Sequence, residues 1–324
     1  MKASGGKDTA QRKRENLKKP LVKRAIVFVN LLKPQARALG YEVKQELNAL
    51  GIHTDELAFT GKKYFPTGAA AEAAEKAVYD VAISLGGDGT VLSTARAVLP
   101  LGIPIFPINL GTFGFIAGVN PNEWKEVFLR WLSGKVSVSR RLMLDLTVKR
   151  QGKEVLQNSC LNDFVISASG IARLISLQVF CGTTSGKDKN SSFVWLGSYR
   201  SDGLIISTPT GSTAYSVATG GPIVDPDLEA VILNPICPFT LSCRPIVRPI
   251  NDTILVEVGV KQRSSVLLTV DGQVTKKLKG GDKLYITKSP SSCHLIASDS
   301  ALFYDALKSK LAWAGGEEGG YPHA

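Results

Sequence analysis

Between Arg24 and Leu132 short apolar runs alternate with segments of helical period, and this alternation limits the fold more than any other feature of the chain. Arg24-Ala-Ile-Val-Phe-Val-Asn30 reads as a buried strand, and Pro34 to Leu50 carries Ala, Leu and Val at helical spacing before Gly51. The pattern recurs as a helix over 69–78, a strand over 81–85, a helix over 91–98, a strand over 103–108 and a helix over 122–132. Apolar strands separated by helices predict a parallel sheet covered on both faces. After Arg140 the texture becomes short β-rich segments at 143–149, 164–167, 174–180, 204–207, 253–260, 265–270 and 283–287. Their spacing predicts a β-rich, sandwich-like second domain. Residues 301–313 regain helical spacing and are expected to return to the first domain. The expected division is an α/β domain at 21–140 with 296–314 packed on it, a β-rich domain at 141–295, and tails at 1–20 and 315–324.

Composition excludes several classes. The 39 Lys and Arg exceed the 28 Asp and Glu by 11, a field that attracts nucleic acid, anionic membrane or phosphorylated small molecules. Residues 1–20 hold seven of the cations against Asp8 and Glu15, so nearly half of the excess lies in a segment without apolar periodicity. That segment reads as a disordered tail, with neither the apolar core of a secretory signal nor an amphipathic transit pattern. No basic stripe with interleaved aromatics marks the rest of the chain, so nucleic acid is not expected as a partner. Uncharged stretches lie between Arg96 and Glu123 and between Asp202 and Asp225. Their Pro, Gly, Ser and Thr content argues against membrane spans and for loops folded against a ligand. Five cysteines, without a C-x-x-C, fit a reducing cytoplasm rather than a disulfide framework or zinc ribbon.

The richest chemical signal is Gly86-Gly87-Asp88-Gly89, set between the strand that ends at Leu85 and a helix expected to begin near Thr90. A strand turning into a helix through glycines exposes N–H groups at the positive helix end, an arrangement that grips phosphate. A carboxylate there either orients Mg²⁺, accepts a proton from an attacking hydroxyl, or simply caps the turn. Neither G-x-x-x-x-G-K-[ST] nor G-x-G-x-x-G occurs, which excludes a P-loop and the Rossmann fingerprint. A second run, Asp202 to Pro222, leads from a strand into hydroxyl-rich Thr210-Gly-Ser-Thr-Ala-Tyr215. It suits a ribose or pyrophosphate; a polar surface loop would share its composition but would ordinarily include Lys or Glu over so long a run, so a binding loop is expected. Asn162-Asp163 suits the two hydroxyls of a ribose, or a turn.

Together these pieces resemble the NAD kinase family, which phosphorylates the 2′-hydroxyl of the adenosine ribose of NAD. The likeness runs from about Arg24 to Trp313. It rests on Gly86-Gly87-Asp88-Gly89-Thr90, Gly111-Thr-Phe-Gly-Phe115, Asn162-Asp163, the 202–222 run, Leu241-Ser-Cys-Arg-Pro245 and Asp271-Gly-Gln273. By position, the resemblance implies Asp88 as the proton acceptor, with Gly86, Gly87, Gly89 and Thr90 on phosphate and Gly89 also beside the substrate. It places Phe115 against adenine and Asn162 and Asp163 on the ribose. Arg173, Arg200, Asp202 and Gln273 would contact the dinucleotide, and Thr213, Ala214, Tyr215, Ser216, Val217 and Ala218 would form the main binding turn.

The family further implies NAD as acceptor, ATP with Mg²⁺ or another divalent cation as donor complex, polyphosphate as an alternative donor, and a homodimer or homotetramer. With no dense carboxylate cluster in sight, no protein metal site is expected and Mg²⁺ should sit on phosphate oxygens and water. Two departures stand out: Phe113 replaces a usual Leu, and residues 183–192 resemble an insertion that loosens the register of Arg173 and Arg200. The rival readings are a lipid kinase of the diacylglycerol or sphingosine type, which shares the glycine tetrad, and a non-catalytic nucleotide-binding protein.

Overall fold

The computed structural model describes residues 21–59, 78–111, 114–170, 174–183, 192–262 and 264–311. Four parallel strands form its first part: β1 (Arg24–Asn30), β2 (His53–Phe59), β3 (Val81–Gly86) and β4 (Ile105–Asn109), in the order β2-β1-β3-β4. Side chains alternate between the faces of a strand, so β1 serves two cores. Ala25, Val27 and Val29 pack with α1 (Ala36–Ala49) and α3 (Trp124–Leu132). Ile26 and Phe28 pack with α2 (Asp88–Val98) on the other face. α1 buries Leu39, Val43 and Leu47 at four-residue intervals, while Phe128 of α3 meets Phe106 of β4 edge-on at 5.2 Å. The expected three-layer α/β arrangement is present.

The same sheet continues into the second part. β4 pairs with the end of β16 (Lys283–Ile296) in parallel through Ile105 and Leu295. β16 then runs antiparallel to β5 (Val138–Arg150) along nearly its whole length, with a bulge between Lys288 and Ser292. β6 (Lys153–Cys160) pairs with β5. The sheet is completed by β13 (Thr253–Val258), β8 (Ile175–Thr183) and β9 (Ser192–Ser201). Facing it is an antiparallel sheet in the order β12 (Ile246–Pro249), β11 (Ala230–Ile236), β10 (Gly203–Ser207), β7 (Asp163–Ala168), β14 (Val266–Val270) and β15 (Val274–Leu278). Leu144, Leu146, Val256 and Ile286 of the first sheet share one apolar cluster with Phe164, Ile166, Leu204 and Leu268 of the second. This is a sandwich, as the sequence predicts.

A single-turn helix, α4 (Tyr215–Ala218), and a helix of 12 residues, α5 (Ser300–Leu311), complete the fold. Phe303 of α5 lies 6.2 Å from the Phe115 ring, and Tyr304 and Ser300 donate to Asp225 and Asp227 at 2.7 and 3.0 Å. The helix expected over 69–78 falls, but for Val78, outside the described residues, as do both tails, Phe113, Arg173 and most of 183–192. Among the described residues no helix is long and apolar enough to cross a membrane.

Phe106 is fully buried where β4 meets α3. Phe106→Ala should lower the unfolding free energy by about 3–5 kcal/mol, read from urea denaturation of the full chain.

Candidate active site

Because β1, β3 and β4 are parallel, their carboxyl ends share one rim, where open α/β sheets bind ligands. β3 ends at Gly86, Gly87 is the single linking residue, and α2 begins at Asp88, two residues earlier than the sequence predicts. The correction puts Asp88 inside the helix's first turn. Gly86 is required by packing, since a Cβ there would lie 2.1 Å from Thr90 Oγ1. Gly87 and Gly89 instead face open space, with nothing within 4 Å of a would-be Cβ. Asn30, closing β1, donates its amide to Thr90 Oγ1 at 3.0 Å. Lys33, which the sequence reading passed over, brings its ammonium to 3.5 Å from a would-be Cβ at Gly111 on the same rim. It makes no ion pair among the described residues.

The Asp88 carboxylate accepts three backbone N–H bonds, from Phe115 at 3.0 Å, Ile116 at 3.3 Å and Ala117 at 2.9 Å. It caps a neighbouring loop and not its own helix. Gly114 permits this approach, because a Cβ there would collide with Asp88 Oδ1 at 1.9 Å. An ionised carboxylate offers about four lone-pair sites, so roughly one remains for a ligand hydroxyl. Phe115, half-buried, is flanked by Phe303 and by the Lys310 ammonium, 5.1 Å from its centroid.

A second carboxylate organises the other side. Asp271 accepts N–H bonds from Leu161 at 3.2 Å, Asn162 at 2.8 Å and Asp163 at 3.2 Å. It stands with Gly272 at positive φ (49° and 66°), and Gln273 N–H closes the turn onto Val270 O at 2.8 Å. Asp-Gly directly after the apolar run 266–270 is a sequence signal for such a hairpin turn. Arg96 of α2, also unassigned from sequence, pairs with Asp271 at 3.4 Å, and Gln273 Nε2 donates to Gly89 O at 2.7 Å. Burial, then the Asp271 charge, pushes the Asp163 carboxyl up to about 7. Burial also raises Asp271, against the pull of Arg96 and the three amides. Asn162 Oδ1 is buried without a partner.

The hydroxyl-rich turn rests on this pair. Thr208 N–H and Ser207 Oγ donate to Asn162 O, Thr208 Oγ1 donates to Leu161 O at 2.6 Å, and a Cβ at Gly211 would strike Asn162 O. Thr213 and Ala214 are half-buried and Tyr215 and Ala218 exposed, whereas Ser216 turns inward to the Asn234 amide at 2.9 Å from its carbonyl. Arg200 stacks over Phe239 at 5.2 Å; no hydrogen bond or ion pair among the described residues joins it to Asn162 or Asp88. Half-buried Asp202 joins β7 and β11 through its backbone, its C=O accepting from Ala168 and its N–H donating to Ile236. Among the described residues no three His, Cys, Asp or Glu converge as a metal site. A separate cavity of ≈ 430 Å³, lined by Arg140, Asp227, Glu229, Lys288 and Asp299 among others, includes none of these groups.

Comparison with known proteins matches two family models, the ATP-NAD kinase N-terminal domain over residues 5–136 and the ATP-NAD kinase C-terminal domain over 190–298. An NAD kinase of Treponema denticola is 41% identical over 294 residues, 91% of this chain and 98% of that protein. One of Citrifermentans bemidjiense is 37% identical over 295 residues, 90% of this chain and 99% of its own. Among solved structures, yeast NADH kinase complexed with NADH has a TM-score of 0.73 at 23% identity, covering 94% of this chain and 91% of that one. An Archaeoglobus fulgidus NAD kinase in complex with ATP has a TM-score of 0.66 at 22% identity, covering 90% and 98%. At these identities the two structures share the fold.

The raised Asp163 carboxyl has a measurable consequence. Between its unfolded value of 3.8 and about 7 the folded state binds a proton that the unfolded state has released, so stability falls as pH climbs through that window. The melting temperature should drop from pH 5 to pH 8, and less steeply in Asp163→Asn; equal slopes would count against a buried, proton-binding Asp163.

Proposed function

The chain belongs to the NAD kinase family, and on that premise we propose how its residues divide the work of moving the γ-phosphoryl group of ATP to the 2′-hydroxyl of the adenosine ribose of NAD, giving NADP. The reading is carried by one juxtaposition: the Asp271–Gln273 turn ties the Asn162–Asp163 segment to the helix that opens at Asp88. A matched lipid kinase or a non-catalytic binder finds no support among these relatives.

In this reading Gly87 and Gly89 leave the start of α2 open to the terminal phosphate, and Lys33 adds positive charge at the same rim. Asp88, held by three amides with one lone-pair site over, receives the 2′-hydroxyl proton. Catalysis is then positioning plus charge stabilisation. Mg²⁺ or another divalent cation would accompany ATP as part of the donor complex, where it would neutralise charge on the phosphates.

Asn162 offers its unpartnered Oδ1 to the ribose, and Asp163, part protonated near neutral pH, can donate to a hydroxyl. Phe115 takes adenine on the face that Phe303 and Lys310 leave free, and residues 213–218 supply backbone donors. Arg173, Arg200 and Asp202 remain assigned to the dinucleotide by resemblance. Gln273 spends its amide N–H on Gly89, which leaves Oε1 for that role.

The two-domain division at 21–140 with 296–314 and at 141–295 belongs to the same proposal, supported by a sandwich core separate from the two around the parallel strands. So does a homodimer or homotetramer, for which exposed Val194 and Trp195 on edge strand β9 and exposed Phe239 and Leu241 supply apolar surface. A cytoplasmic location is proposed from the family and from cysteines that are all free.

The protein with ATP, Mg²⁺ and NAD should form NADP, and with diacylglycerol in place of NAD should form no phosphorylated lipid. Asp88→Asn should lower kcat by about 10²–10⁴-fold with NAD binding preserved; near-normal turnover would remove Asp88 from the base role. Lys33→Met should raise the KM for ATP by roughly tenfold and leave that for NAD unchanged, as steady-state kinetics would read.

A further inference from the structure

Arg96 and Asp271 stand 175 positions apart and meet with side chains only 3% and 2% exposed. Arg96 lies seven residues beyond Gly89 on α2, two turns along the same face. The Asp271–Gln273 turn therefore touches that face twice, by an ion pair at Arg96 and a hydrogen bond at Gly89. A single Asp271 carboxylate also gathers the amides of Leu161, Asn162 and Asp163. Arg96 Nε and Nη1 are buried with no partner. A pair so desolvated and incompletely bonded contributes little net stability, and well-packed apolar side chains would hold the two surfaces together as well or better. What apolar packing would not do is fix, through one rigid group, the distance between α2 and three consecutive backbone amides.

We propose that the Arg96–Asp271 pair is a positioning device that sets the ribose-holding Asn162–Asp163 segment in line with Asp88 and the phosphate-holding end of α2. The inference rests on the functional reading above and adds to it a part assigned to neither substrate. Neither residue touches a reacting atom. Arg96 acts through Asp271, and Asp271 acts through the backbone it gathers. Cutting the tie at Arg96 removes neither the groups that donate to Asp271 nor any residue proposed to touch NAD. Such a cut should impair alignment more than NAD affinity.

The test uses the full-length enzyme in steady state with ATP, Mg²⁺ and NAD. Arg96→Met, which keeps the apolar stem and removes the charge, should lower kcat by about 10- to 100-fold, the scale of an ångström-level misplacement. Its KM for NAD should stay within about threefold of wild type, because that binding is uniform to ground and transition states. Arg96→Lys should recover a large part of kcat. The proposal is overturned if folded Arg96→Met keeps kcat within about twofold, if KM for NAD rises while kcat stands, or if Arg96→Lys is as impaired as Arg96→Met. If Arg96→Met does not fold by circular dichroism, Arg96→Gln carries the same expectation. Unfolding of both neutral variants would assign the pair to folding and overturn the proposal. A wild-type enzyme that forms no NADP sinks the functional reading, whereas an active wild type with indifferent variants sinks this inference alone.

Discussion

Buried irregular backbone has no strand partner to satisfy its N–H groups, and leaving them unpaired is costly. Two carboxylates meet that demand here. Asp88 collects Phe115, Ile116 and Ala117, and Asp271 collects Leu161, Asn162 and Asp163. Each thereby fixes a segment that the proposed chemistry uses, the first beside adenine and the second beside the ribose. The surrounding glycines follow from this constraint. Gly114 must lack a Cβ for Asp88 to reach its loop, and Gly211 must lack one for the hydroxyl-rich turn to lie on Asn162.

The sheets deliver these two centres to one place. A single parallel contact between Ile105 and Leu295 carries the α/β sheet into the sandwich, so β1, β3 and β4 share one hydrogen-bonded sheet with β16 and β5. The opposite sheet places β7 between β10 and β14, which sets Asp163, at the start of β7, against Ser207 on one side and, through its C=O, the Asp271 N–H on the other. α2 then spans the gap, presenting Gly89 and Arg96 to the same turn.

Legibility in the sequence followed burial. β1, β3 and β4 were readable because both faces are covered and their residues are almost uniformly apolar. β2, β9, β12 and β15 escaped because they lie at sheet edges, where residues such as Asp55, Glu56, Lys276 and Lys277 interrupt the pattern. β6 pairs on one side only and is mostly half-exposed, and β11 hides behind Asn234 and Pro235 despite being fully buried. The start of α2 was misplaced because Asp88 and Gly89 look like turn residues, yet Asp88 can enter the helix while its side chain serves another loop.

From the chain alone came the glycine turn with its acid, the Asn162–Asp163 pair, the hydroxyl-rich run and the alternation that dictates a parallel sheet, because each is a local pattern of residue type and spacing. The placements of Arg96, Asp271 and Lys33 were decided only in three dimensions. Arg96 reads locally as one more polar position on a helix, and Asp271 as one half of an Asp-Gly turn. Their meeting depends on folding that brings positions 175 residues apart within 3.4 Å in a site nearly free of solvent. The same holds for Asp163, whose carboxyl is ordinary in sequence and is raised to about 7 only by the burial and the neighbouring charge that the packed sheets impose.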